Sequence, residues 1–71
     1  MSWWAETLRA LRMLTGISQK ELGRRAGFAA SQICEYETGR REPRVSTFDQ
    51  LIGAMGYRVT IEAEKEGNEH D

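Results

Sequence analysis

Three arginines, Arg40, Arg41 and Arg44, crowd the short run "GRREPR", directly after the stretch "AASQICEYET". A guanidinium is a planar, permanently charged fork that takes phosphate oxygens two at a time, so this cluster points to a phosphate-bearing partner, the other reading being a solvated loop. No comparable case exists for catalysis. The chain holds one cysteine, Cys34, and one histidine, too few for a metal-ligand cluster, and no nucleophile stands beside a base in a recognisable pattern. These residues lead to the expectation of a binding protein rather than an enzyme, without metal or cofactor.

The net charge of −1 conceals an asymmetry. Residues 1–44 carry eight Lys/Arg against five Asp/Glu, a local +3, whereas residues 45–71 carry two against six, a local −4. Local fields govern encounter with a polyanion, so the first half can attract phosphate while the second favours solubility. With 71 residues there is room for one small domain. Such a chain buries only about 60% of the surface its unfolded form exposes, and pairing with a second copy would add to that. A lone cysteine cannot staple the fold and fits a reducing, cytoplasmic setting. The opening "MSWWAETLRALRML" is interrupted by Glu6, Arg9 and Arg12, so it reads as an amphipathic helix, not as a signal peptide or membrane span.

Apolar spacing predicts the elements that position the basic cluster. A first helix is expected from Ser2, as N-cap, to about Leu14, with Trp4, Leu8, Leu11 and Leu14 forming one stripe and Gly16 ending it. Ser18 with Glu21 three residues on reads as a capping box, which opens a second helix ending near Ala26. Gly27 supplies a positive-φ turn. A third helix is expected from about Ala29 to Thr38, with Ile33 and Tyr36 inward and Gly39 as its stop. A fourth runs from about Ser46 to Met55, burying Phe48, Leu51, Ile52 and Met55. Beyond Gly56 the period changes. "YRVTIEAE" alternates Tyr57, Val59, Ile61 and Ala63 with polar residues, as a strand with one apolar face does. A single strand leaves its backbone unpaired, so the same strand of a second copy is its expected partner across a two-fold axis. The organisation expected is thus a helical domain over 1–56, a dimerisation strand over 57–64 and a polar tail over 65–71, with Tyr57, Val59 and Ile61 at the dimer interface.

Ser18 to Thr38 has the anatomy of a helix-turn-helix: two short helices joined through a tight glycine-bearing turn. Gly23 stands where a larger side chain would push the pair apart, and Leu22, Ile33 and Tyr36 fill the space beneath. The longer run "ISQKELGRRAGFAASQICEYETGRREPRVSTFDQLIGAMG" resembles the Cro/lambda-repressor-like (Xre) family of DNA-binding domains. The likeness is carried by the serine–glutamine start, the turn glycine and the segment "ETGRREP". It implies a mainly α fold, a four-to-five-helix lambda-repressor-like domain, here with one C-terminal strand.

In that family the third helix enters the major groove with its early residues toward base edges. The resemblance therefore places Ala30, Ser31 and Glu35 at base-facing positions, with Gln32 close to bases or phosphate. Ala30 suits a thymine methyl, Ser31 a base or the backbone, and Glu35 a cytosine amino group. The other reading of Glu35 is a surface charge paired with Arg24 or Arg41. Gln19 matches a phosphate-contacting position at a helix start, Arg40, Arg41 and Arg44 match the backbone-gripping loop, and Lys20 adds long-range attraction. Arg12 and Glu37 match a partly buried structural ion pair. The chain departs from the family pattern at Ala29, where a serine or threonine cap is common, and at Thr38, where asparagine is frequent. Its end resembles the strand of antitoxin-type members, with Trp3 either at a subunit interface or covering the domain. Cys34 reads as a small residue on the DNA-facing side. The function implied is a homodimeric, sequence-specific regulator of transcription acting on double-stranded DNA, a repressor in the simplest case. The alternative is an antitoxin that neutralises a toxin and regulates its own operon.

Overall fold

The computed structural model describes residues 2–60. Four helices follow one another: α1 (Trp3–Thr15), α2 (Gln19–Ala26), α3 (Ala30–Glu37) and α4 (Val45–Gly53). Their bounds fall within two residues of those read from the sequence, because the stop signals act as expected. Gly16, Gly27, Gly39 and Gly56 all take positive φ. At Gly16 the amide turns back onto the Arg12 and Met13 carbonyls (2.9 and 3.1 Å), satisfying acceptors that the end of a helix leaves free.

Two start signals depart from expectation. Ser18 caps α2, its Oγ accepting from the Glu21 amide at 2.9 Å. The reciprocal half of the expected capping box does not form, because the Glu21 carboxylate is taken by Arg24 and Arg25 at 2.6 and 2.8 Å. Ala29, at the start of α3, has no side chain able to accept. There Gln32 reaches back, its Oε1 accepting from the Ala29 amide at 2.9 Å, which supplies the other half of a box.

The helices close around Leu8, Leu22, Ile33 and Leu51, all fully buried, with Ala5, Ala26, Tyr36, Phe48, Ile52 and Met55 completing the core. The four fully buried side chains come one from each helix, so the core is the junction of all four. Burying one such leucine contributes about 1.5–3 kcal/mol. Trp4, Leu11, Ile17, Phe28, Ala54 and Val59 pack around this centre. Leu14 does not belong to it and is 77% exposed, contrary to the stripe drawn from spacing. At 3.6 residues per turn Leu14 lies roughly 120° around α1 from Leu8, and the inward position there is taken by Thr15, whose hydroxyl donates to the Leu11 carbonyl at 2.7 Å.

After α4 the chain turns at Gly56 and folds back. The Tyr57 amide donates to the Ile52 carbonyl at 3.0 Å, and the Val59 amide to Asp49 Oδ1 at 3.2 Å. Residues 57–60 form no strand ladder. Val59 instead packs on the edge of the core, while Tyr57 is exposed. The remainder of the expected strand, Ile61 included, and the tail over 65–71 lie outside the described residues. No described helix is long and apolar enough to cross a membrane.

Candidate nucleic-acid interface

α2 and α3 meet through a turn that leaves no space at Gly23. A Cβ there would overlap the Phe28 carbonyl oxygen and lie 3.2 Å from its carbon. The contact is with the backbone of the turn at Phe28 and, at 3.4 Å, with Ala29 at the start of α3. The Gly23 carbonyl also accepts from the amides of Gly27 and Phe28, both at 2.8 Å. Phe28 then meets Tyr36 edge-on, with centroids 6.3 Å apart, so the turn is pinned to the underside of α3. Gln50 adds a tie from α4, its amide donating to the Ala26 carbonyl at 2.9 Å. Neither Phe28 nor Gln50 stood out in the sequence, since an isolated aromatic and a surface glutamine carry no spacing signal.

With Ile33 and Tyr36 buried, α3 turns Ala30, Ser31 and Cys34 outward, and Glu35 is half-exposed beside them. The structure brings these four onto one face, as helical periodicity requires. Gln32 is adjacent but engaged with the Ala29 amide, leaving its NH2 group to donate. Glu35 accepts from Arg41 Nε at 2.8 Å, which selects Arg41 over Arg24 as its partner; Arg24 is held by Glu21. The Glu35 hydrogen bond raises the Arg41 pKa further above its already high value.

Glu37 points the opposite way. Its carboxylate is 3% exposed and meets Arg12 Nε at 2.6 Å, with Arg12 Nη2 at 3.0 Å completing a two-bond clasp. Arg12 Nη1 donates to the Ile17 carbonyl at 2.9 Å. The hydrogen bond to Glu37 raises the Arg12 pKa against the opposing effect of burial. Gln19 joins the same group, Nε2 donating to Glu37 Oε1 at 3.0 Å. The ion pair implied by the resemblance is therefore present and has a third member. Gln19 is positioned at the start of α2 by Glu37, with one amide hydrogen committed.

Thr38 closes α3 by donating to the Cys34 carbonyl at 2.9 Å. The loop that follows carries Arg40, Arg41 and Arg44 exposed around buried Pro43. Among the described residues Arg40, Arg44 and Lys20 have no carboxylate partner. Arg24 and Arg25 converge instead on Glu21, whose pKa falls from 4.5 to about 2 through the hydrogen bonds from Arg24 and then Arg25. Arg9 and Arg58 are likewise exposed without a carboxylate partner among the described residues; of these five cations Lys20 belongs to the first turn of α2, and Arg40 and Arg44 to the loop that follows α3.

Residues 3–64 match the family described as "Helix-turn-helix domain". The chain belongs to that family. It is also similar to an uncharacterised HTH-type transcriptional regulator of Archaeoglobus fulgidus, with 38% identity over 76% of this chain and 27% of that protein. A second relative, the uncharacterised HTH-type transcriptional regulator y4dJ of Sinorhizobium fredii, is 39% identical over 65% of this chain and 60% of its own length. The helix-turn-helix chain therefore spans only a part of each of these relatives. No solved structure matches it significantly.

Proposed function

We propose that this helix-turn-helix chain is a DNA-binding regulator of transcription, and more finely a homodimeric repressor of the Cro/lambda-repressor-like kind. The observation that carries the reading is the exposed face of α3 followed directly by a loop in which Arg40 and Arg44 are exposed and, like Lys20 in the first turn of α2, have no carboxylate partner among the described residues. In this reading α3 lies in the major groove with Ala30, Ser31 and Glu35 toward base edges and Gln32 nearby. Gln19, Lys20, Arg40, Arg41 and Arg44 hold the sugar–phosphate backbone. A small hydroxyl and a methyl on the reading face suit close approach, while most of the affinity comes from phosphate contacts that carry no sequence information.

Support for a regulator comes from the names of the two relatives, and support for a second copy from the apolar side chains left exposed at Trp3 and Tyr57. A dimer would set two α3 helices about 34 Å apart on successive turns of the duplex. Selection from a random duplex library, followed by salt-dependent binding of the recovered sequence, tests the reading. Enrichment of a two-fold related site is the expected result. Failure to retain any duplex at low salt overturns it.

A further inference from the structure

Within the DNA-binding reading above, we propose that Glu35 is a positioning residue for Arg41: its carboxylate holds the guanidinium by one edge and leaves the other edge open for a phosphate oxygen beside α3. Three observations carry this. The first is how Arg41 is held. Arg12 and Arg24 each clasp their carboxylate through both Nε and Nη2, whereas Arg41 gives Glu35 a single bond from Nε at 2.8 Å. A guanidinium has five N–H donors, and the four on Nη1 and Nη2 of Arg41 have no partner among the described residues.

The second is that Glu35 also places the main chain of the loop. Its carbonyl accepts from the amides of Arg40 and Arg41 at 3.0 and 3.3 Å, and from Thr38 Oγ1 at 3.2 Å. One residue on the outward side of α3 thus determines both where Arg41 leaves the backbone and where its side chain ends. Arg40 and Arg44, exposed in the same loop, have no such tether among the described residues.

The third is the strength of the pair. With side-chain exposures of 58% and 42%, it is bathed by solvent and weak. A contact this weak does not outcompete a backbone phosphodiester anion for Arg41, yet it suffices to favour one rotamer of a long side chain. Ordering such a side chain in advance removes part of the entropy otherwise lost on binding. Glu35 therefore assists a cation near the DNA instead of simply repelling the polyanion.

A double-mutant cycle tests this, using a fluorescein-labelled random-sequence duplex titrated with the unaltered chain, Glu35→Ala, Arg41→Ala and the double variant. Arg41→Ala should weaken binding roughly tenfold in the native background, as loss of a charge-assisted bond does, but only about threefold when residue 35 is already alanine. Glu35→Gln, which keeps an acceptor oxygen in place, should retain part of this coupling. Removing Arg41 should lower the salt slope by about one in either background, because charge number is independent of orientation. A larger loss in the alanine background makes Glu35 a competitor for Arg41 and overturns the proposal; equal losses make the two independent and overturn it as well. Absence of duplex binding by the unaltered chain at low salt defeats the DNA-binding reading and this inference together, whereas binding without coupling defeats the inference alone.

Discussion

Glutamates on a helix proposed to meet DNA look like an obstacle, and at the scale of single residues each has a different answer. Glu37 is consumed inside the fold by Arg12 and Gln19, and Glu35 is paired with a loop arginine. Removing Glu37 leaves the largely buried Arg12 charge with the Ile17 carbonyl as its remaining partner among the described residues, so Glu37→Ala should cost about 3–5 kcal/mol, read as a fall in urea midpoint at unchanged slope. Glu21 offers a pH test. Its folded pKa of about 2 lies below its ordinary 4.5, so its contribution is fully present above 4.5 and fades as the pH falls through 2. Between those values Glu21→Gln should lose less stability than the unaltered chain, measured by thermal melting across that window. The residue types announced these groups, and the family likeness supplied the Arg12–Glu37 pairing. The partners of Gln19 and Gln32 were not legible, since an amide takes whichever neighbour the turn geometry delivers.

At the scale of elements, the glycines were the most readable feature and the apolar stripe of α1 the least. Turn glycines announce a backbone conformation directly, which is why all four helices were located. Leu14 misled because the first two spacings of the stripe, four and three residues, keep to one helix face, while the third, again three, drifts off it as the turns accumulate. Gly23 matters more for space than for conformation. Gly23→Ala must displace the turn at Phe28 and should destabilise the domain by about 1–3 kcal/mol, with a lower melting temperature as the measurement. The half-box at Ala29 was hidden for a related reason: a missing cap in the sequence does not say which neighbour will compensate.

At the scale of the whole molecule, the helical domain was legible because four amphipathic segments allow few ways to bury their faces together. The dimer was inferred from a change of period, and its strand extends past the described residues. What is observed of that segment, Val59 against the core and its amide on Asp49, anchors the exit of the chain from α4. In the proposed dimer, residues 57–64 carry the pairing strand. A chain ending at Gly56 should sediment as a monomer while keeping its helical circular dichroism; a dimer of unchanged mass would remove the strand from the interface.

The group formed by Arg12, Gln19 and Glu37 joins the last turn of α1, the first residue of α2 and the last residue of α3 at one carboxylate. Its consequence is kinetic as well as energetic. Glu37 is the shared member: freeing the end of α3 breaks the bonds of both Arg12 and Gln19, and freeing either of the other two helix ends breaks a bond to Glu37. Their amides should therefore exchange with solvent deuterium at a common opening free energy, as one cooperative unit, and in Glu37→Ala that shared protection should separate into three independent values.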